Sequence, residues 1–177
     1  MPGILHARAA EQKFRFSAAE PVPALAPFVA HYWFVEWDLR GQHPYEQHVL
    51  PYPSVNVTFK PGRCRVAGVP RGRFSEVLNG AGRVFGVRFQ PAGFRPFLCA
   101  PVSSITDRFL PLSEVFGAAG RELADGILAA DNARAVALMD DFLAGRAPAA
   151  PDPGATLAGA IAARIAADPG VTRVADL

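Results

Sequence analysis

The segment Phe28-Val29-Ala30-His31-Tyr32-Trp33-Phe34-Val35-Glu36-Trp37-Asp38-Leu39 decides the class of fold. Aromatic and β-branched residues dominate this segment, which is typical of a β-strand. Side chains alternate between the two faces of a strand, so one face is predicted to carry Val29, His31, Trp33, Val35, Trp37 and Leu39. The opposite face ends in Glu36 and Asp38, and we expect that end to meet water.

Further short strands are predicted on both sides of this segment, over residues 13–17, 45–50, 54–60, 63–69, 73–78 and 83–90. Turn residues separate them, for example Pro61-Gly62, Pro70-Arg71-Gly72 and Asn79-Gly80. Six or seven short strands at spacings of roughly 8 to 12 residues are typical of an antiparallel barrel or sandwich.

The hydrophobic period changes from that of strands to that of helices after residue 90. Helices are predicted over about 118–130, over 133–145 with Asp131 as the N-cap, and up to Ala167 after Asp152-Pro153. The first two pack either on the strands or against a second copy of the chain, and residues 102–112 are ambiguous. The predicted fold class is α+β, an N-terminal antiparallel β-barrel followed by a C-terminal helical segment.

Composition excludes several classes of protein. Of the 177 residues, 50% are hydrophobic and 19% are charged, which excludes disordered, collagen-like and coiled-coil chains and predicts a globular domain. The longest apolar run, 21–35, contains three prolines and is too short for a membrane helix, and the N-terminus lacks a signal-peptide core. We therefore expect a cytoplasmic protein with no membrane partner.

Basic residues are concentrated in the first part of the chain. Residues 1–100 carry 12 Lys and Arg against 6 Asp and Glu, whereas residues 101–177 carry 6 against 10. Within the basic part, Arg63, Arg65, Arg71 and Arg73 follow one another without an acidic residue between them. These arginines either contact phosphate or form a solvated hairpin edge, and the second interpretation is favoured.

Large flat side chains on the predicted inward faces are candidates for the lining of a ligand site in the barrel: His31, Trp33, Trp37, Phe59, Phe85 and Phe89. Alternation places Arg88 on the opposite face of its strand. A few polar groups among aromatic walls suit a small organic molecule. The alternative is that these rings only fill a hydrophobic core.

The order of several segments resembles the N-terminal regulatory domain of AraC-type bacterial transcription factors, in a poorly characterised subgroup. The segments are 25–29, 31–33, Val49-Leu50-Pro51, Phe85–Phe94, Thr106-Asp107-Arg108, Leu110-Pro111-Leu112 and the tail 168–177. The resemblance implies a cupin-like β-barrel sensing domain over 1–100 and helices over 101–150, packed on the barrel and offering a dimer contact. It also implies a linker helix over 151–170 and the start of a helix-turn-helix domain over 171–177. Pro96 departs from it, since a continuous helix is expected there.

The function that the resemblance implies is effector sensing rather than catalysis. A small organic effector would change the DNA binding of a helix-turn-helix domain beyond residue 177, and Leu157, Ile161 and Ile165 would face inward on the coupling helix. A homodimer is a further expected partner, and DNA is contacted only through that C-terminal domain. A domain with a filled barrel and no ligand is a simpler alternative.

A metal-dependent cupin enzyme, an isomerase or dioxygenase, is the alternative function. It would use His43, Glu46 and His48 as ligands, but their spacing does not place two imidazoles on one side of a strand. Cys64 and Cys99 belong to no C-x-x-C pair and are expected to be ordinary thiols, with Cys99 buried. No catalytic residue, metal or other cofactor is therefore predicted.

Overall fold

Eight strands are followed by helices in the computed structural model, which describes residues 12–168, 170, 171 and 173. The strands are β1 (Arg15–Ala19), β2 (Val29–Asp38), β3 (Tyr45–Val49), β4 (Asn56–Phe59), β5 (Arg65–Ala67), β6 (Phe74–Leu78), β7 (Ala81–Phe89) and β8 (Phe109–Pro111). The α-helices are α1 (Arg95–Leu98), α2 (Leu112–Ala129), α3 (Asn132–Ala144) and α4 (Pro153–Ala167). Two short 3₁₀ helices lie at Pro23–Leu25 and Val102–Ile105.

The strands form two antiparallel sheets. The large sheet has six strands in the order β1-β2-β7-β4-β5-β8, and the small sheet pairs β3 with β6. The α+β class with a strand-rich first part and helices after it is therefore confirmed. The pairings found among the described residues leave the two sheets separate, so closure into a barrel is not shown.

The large sheet is covered on one face by helices. Tyr32, Phe34, Phe85 and Phe89 are all buried on this face. The Phe85 ring packs between two others, with centroids 4.9 Å from Phe34 and 5.6 Å from Phe59. Apolar side chains of α2 and α3 belong to the same core: Leu123, Ala124, Ile127, Ala135, Met139 and Leu143. This face is the main hydrophobic core of the protein.

One hydrogen-bonded group fixes α3 to the large sheet. The Tyr32 hydroxyl donates to Oδ1 of Asp140 over 2.6 Å in a buried setting, and the Val22 amide donates to the same oxygen over 3.3 Å. A buried carboxylate with two donors avoids most of the cost of an unpaired charge. Burial, and then the hydrogen bond to Asp140, raises the pKa of Tyr32.

The predicted helix signals are confirmed at two N-caps. Asp131 accepts a hydrogen bond from the Arg134 amide over 2.8 Å, and Asp152 accepts one from the Ala155 amide over 3.2 Å. The helix expected from about residue 118 begins earlier, at Leu112, because α2 continues through a kink at Gly117, where φ is +63°. The ambiguous stretch 102–112 contains a 3₁₀ helix and the edge strand β8.

The last helix was expected to bury one face, and this is wrong. No residue of α4 is buried, and Leu157 and Ile165 are 62% and 46% exposed. Its first turn is held by an ion pair of 3.1 Å between Asp152 and Arg95 of α1. The apolar side chains of 157–165 are therefore at most partly covered within the described residues, with Ala158, Ile161 and Ala162 half-buried.

Two further outcomes concern the ends of the chain and membranes. Of residues 171–177, only 171 and 173 are described, so the predicted start of a helix-turn-helix domain lies outside the described residues. None of the helices in the described ranges combines the length and apolar composition that crossing a bilayer requires.

Candidate functional site

A cleft of about 520 Å³ lies between the two sheets. The large sheet contributes the face opposite to the helices, with His31, Trp33 and Arg88 near its centre. The small sheet contributes Gln47 from β3 and Glu76 from β6, together with apolar neighbours. We call this space the intersheet cleft. Its volume is within the range of about 300–1,000 Å³ that is typical of small-molecule sites.

Two glycines of β7 determine where the tryptophans of β2 lie. In the β2–β7 register, Trp33 is opposite Gly86 and Trp37 is opposite Gly82. A Cβ atom at residue 86 would lie 2.0 Å from Cε2 of Trp33, and one at residue 82 would lie 2.4 Å from Cζ2 of Trp37. Only glycine therefore allows each indole ring to lie across β7.

The structure separates the six predicted lining residues into two groups. His31 and Trp33 line the intersheet cleft, as their face predicts. Trp37, also predicted for the lining, does not line the cleft: it is buried in a small cluster with Phe14, Leu39 and Leu78, and its Nε1 donates to the Asn79 carbonyl over 3.1 Å.

Phe59, Phe85 and Phe89 do not line the cleft, and their assignment to it was wrong. They lie on the helix-facing side of the large sheet, in the main core. The physical reason is the strand register, which pairs His31 with Arg88 and Phe34 with Phe85. Directly paired residues of antiparallel strands share a face, so Arg88 faces the cleft and Phe85 and Phe89 face away from it.

Cations outnumber acids around the cleft. Its lining includes Lys60, Arg63, Arg65, Arg73, Arg88 and Arg108, against two acidic residues, Glu76 and Asp107. Glu76 is paired with Lys60 over 3.0 Å and also with Arg63. Burial opposes the ionisation of Glu76, but the contacts with these two cations outweigh it and lower the pKa of the carboxyl. Asp107 is paired with Arg71 over 3.5 Å.

Of the four arginines expected at a solvated hairpin edge, Arg63, Arg71 and Arg73 are exposed, as that interpretation predicts, and three of the four also belong to the lining of the intersheet cleft. Arg63, Arg65 and Arg73 line it, and the Arg65 guanidinium lies 3.7 Å from the centre of the Phe109 ring. Burial, and then the charge of Arg63, lowers the pKa of Arg65. Stacking on an aromatic face holds a guanidinium in place without neutralising it.

Arg88 is the most enclosed cation of the site. Its cross-strand neighbours are His31 on β2 and Asn56 on β4, and its guanidinium lies 4.0 Å from the centre of the Tyr52 ring. Its Nε atom is buried and has no hydrogen-bond partner among the described residues. Burial lowers the pKa of Arg88, yet an arginine stays protonated at neutral pH.

His31 stands beside this cation as a half-buried imidazole. Burial, and then the positive charge of Arg88, lowers its pKa, while Glu20 acts in the opposite direction. The ring is therefore neutral at pH 7 and offers one N–H donor and one acceptor nitrogen to the cleft.

The alternative metal ligands are not brought together. His43, Glu46 and His48 are all exposed, and Glu46 and His48 alternate on β3 with Gln47, which is buried and faces the cleft. Across the described ranges, no three His, Cys, Asp or Glu side chains are grouped closely enough to hold a metal ion. Cys64 and Cys99 are free thiols, and Cys99 is exposed where burial was expected.

Sequence reasoning missed the polar half of the site. Arg88 interrupts an apolar strand between Val87 and Phe89, which is the local signal of a charge facing a different environment. Assigning that environment required the register with β2, which the sequence does not specify. Tyr52 lies in a loop and carried no periodic signal, and Lys60 ends the predicted strand 54–60 without a sign of which group it would face.

A comparison with protein families matches residues 17–111 to a domain of unknown function, DUF6597. This segment runs from within β1 to the end of β8, so it includes nearly all strand residues of both sheets. No curated protein and no solved structure matches the chain. Because the match covers more than half of the 177 residues, the chain belongs to the DUF6597 family.

Proposed function

We propose that this chain is the effector-binding domain of a one-component regulator of the AraC type, and that the intersheet cleft holds the effector. The observation that carries the proposal is the cleft itself, a space of about 520 Å³ between two sheets that combines aromatic and aliphatic surface with cationic side chains. Small-molecule sites typically have this size, and polar groups placed beside apolar walls orient the ligand. The sequence resemblance supplies the regulatory context, together with a cupin-like barrel in which the two sheets would enclose the ligand.

The proposed mechanism is a coupling between the cleft and a DNA-binding domain that follows residue 177. A ligand changes DNA binding only if it prefers one arrangement of the two domains, typically by about 1–3 kcal/mol. The coupling element in this proposal is α4, whose side chains Leu157, Ile161 and Ile165 are exposed or half-buried. Apolar side chains left accessible in this domain can contact a second domain without disturbing the core. The protein would act in the bacterial cytoplasm, and a homodimer remains a prediction.

Ligand binding is the first test. A metabolite collection is screened by thermal shift on the 177-residue chain, and each compound that raises the melting temperature is titrated while tryptophan fluorescence is recorded. We expect a saturable change that Trp33→Ala removes and that Tyr45→Phe, outside the cleft lining, leaves intact. If every stabilising compound binds equally well to the Trp33→Ala variant, the cleft is not the effector site.

Gene organisation and DNA binding form the second test. The reading frame after codon 177 is expected to encode two helix-turn-helix units, and a stop codon there would overturn the regulatory assignment. In the full-length protein, Ile161→Ser is expected to abolish the effect of the ligand on promoter binding while ligand affinity stays within about twofold. Equal loss of both would contradict a coupling role for α4.

A further inference from the structure

The strongest unexplained feature of the intersheet cleft is a cation without an anion. Every acidic side chain among the lining residues already has a cationic partner: Glu76 contacts Lys60 and Arg63, and Asp107 contacts Arg71. Four lining arginines, Arg65, Arg73, Arg88 and Arg108, have no carboxylate within 4.0 Å among the described residues. Of these four, Arg88 is the one with a buried Nε that has no hydrogen-bond partner among the described residues.

Arg88 is also the cation that gains most from a bound anion. Its Nε lies buried without an acceptor in the described part of the chain, and a buried N–H group left unpaired destabilises the folded state. Its ring contact with Tyr52 positions the guanidinium but supplies no hydrogen-bond acceptor in the plane of the N–H groups. A carboxylate can accept two parallel hydrogen bonds from one guanidinium, which matches this unfilled capacity.

The surroundings of Arg88 specify the rest of the ligand. On the same wall lie the indole of Trp33 and the side chains of Val35 and Val84, and across the cleft stand Phe74 and Leu78 of β6. These groups offer mainly apolar surface, and the indole Nε1 of Trp33 is the hydrogen-bond donor among their side chains. A ligand that fits Arg88 and these walls therefore has an acidic group at one end and a flat or extended apolar body.

We propose that the effector is a carboxylic acid with an apolar body, anchored by its carboxylate on Arg88 and covered by Trp33. The inference rests on the proposed function, because it names the chemical class of molecule that the same cleft would take. The neutral imidazole of His31 lies beside the anchor and can donate one further hydrogen bond to the carboxylate.

The proposal is tested by calorimetry with matched pairs of probes on the whole chain. The acids are 2-naphthoate, 3-phenylpropanoate and decanoate, and each is paired with its uncharged carboxamide. At least one acid is expected to bind about tenfold or more tightly than its amide, since hydrogen bonds to charged groups are worth this much. Inorganic phosphate, which has the charge without the apolar body, is expected neither to bind nor to displace the acid.

Variants identify the anchor. Arg88→Gln is expected to weaken the acid about ten- to hundredfold and to leave the amide within about twofold. Arg88→Lys keeps the charge but loses the planar donor pair, so an intermediate loss is expected. Arg134→Gln, on the exposed surface of α3, removes the same charge far from the lining and is expected to change neither affinity. Urea unfolding of each variant establishes that the fold is retained.

The outcomes separate this inference from the proposed function. An amide that binds as tightly as its acid, or an acid whose affinity survives Arg88→Gln, would overturn the anchor while leaving a small-molecule cleft. Phosphate that competes with the acids would overturn the requirement for an apolar body. A wild-type chain that binds none of the acids or amides would overturn the inference, while the screen in the preceding section decides the proposed function separately.

Discussion

Replacing Gly86 by alanine tests whether the position of Trp33 shapes the intersheet cleft. An alanine Cβ at this position would lie 2.0 Å from Cε2, 2.1 Å from Cζ2 and 2.6 Å from Nε1 of Trp33. Contacts this short cannot persist, so the indole must move away from β7. The space on its other side is the cleft, and the displaced ring therefore occupies volume that is open to a ligand.

Two opposing effects set the expected change in stability. Alanine is favoured over glycine in a strand interior by about 0.5–1 kcal/mol, whereas overpacking a fixed site costs about 1–3 kcal/mol. The clash involves ring atoms of a large side chain, so the second effect dominates. We expect the free energy of unfolding in urea to fall by about 1–2 kcal/mol and ligand affinity in the cleft to fall with it.

Fluorescence measures the movement of the ring directly. Trp37→Phe leaves Trp33 as the remaining tryptophan, and adding Gly86→Ala to this background is expected to shift its emission and its quenching by iodide. Gly72→Ala is the matched control, because its Cβ would meet no atom within 4 Å, and its stability is expected to stay within about 0.5 kcal/mol of wild type. If Gly86→Ala also behaves like the control in both assays, the packing argument for Trp33 is refuted.

Three further predictions concern the core, the cleft and the last helix. Tyr32→Phe removes the hydrogen bond to buried Asp140 and is expected to lower the free energy of unfolding by about 1–3 kcal/mol in urea. Burial raises the pKa of Tyr32 in the folded state, so the contribution of its hydroxyl to the free energy of unfolding is complete below about pH 10 and is lost as the pH rises above it. Equal pH profiles of stability for wild type and Tyr32→Phe above pH 10 would contradict this. Burial, and then the Arg88 guanidinium, lowers the pKa of His31 in the folded state, so the neutral ring's contribution to stability is present above about pH 6.5 and is lost as the pH falls. His31→Gln should therefore flatten the decline of the free energy of unfolding between pH 7 and pH 5. An unchanged slope would show that the pKa of His31 is not lowered. Ile165 is 46% exposed, and Ile165→Ala is expected to change the free energy of unfolding by less than about 0.5 kcal/mol. Ile127 is fully buried, and Ile127→Ala is expected to lower it by about 2–5 kcal/mol. Similar losses at both positions would mean that α4 is packed against the rest of the protein.

The strands could be predicted from the sequence because each has a local signal. Alternation and turn residues predicted seven of the eight strands, and the N-caps Asp131 and Asp152 were identified by residue type alone. The eighth strand, Phe109–Pro111, has three residues and owes its existence to pairing with β5. A signal of that kind depends on the partner strand and is absent from the local sequence.

The site was only half predictable, because both faces of the large sheet are covered. In a strand that is buried on one face only, apolar residues at every second position identify the buried face. In β2 and β7 the apolar residues occur on both sides, so Trp33 and Phe85 looked equally suited to the cleft. Register alone decides between them, and register is fixed by contacts between segments some 50 residues apart.

Because the large sheet has the cleft on one face and the helices on the other, β2 connects the two structurally. Trp33 faces the intersheet cleft, and Tyr32, the residue before it, donates its hydroxyl hydrogen to Asp140 of α3 on the other side of the sheet. A movement of β2 that follows the indole must therefore stretch or shift a buried hydrogen bond of 2.6 Å to the helical layer. Trp33 and Tyr32 are adjacent on one strand. In the proposed function, a movement of Trp33 on effector binding can therefore be passed through Tyr32 and Asp140 to α3, the helix that precedes α4.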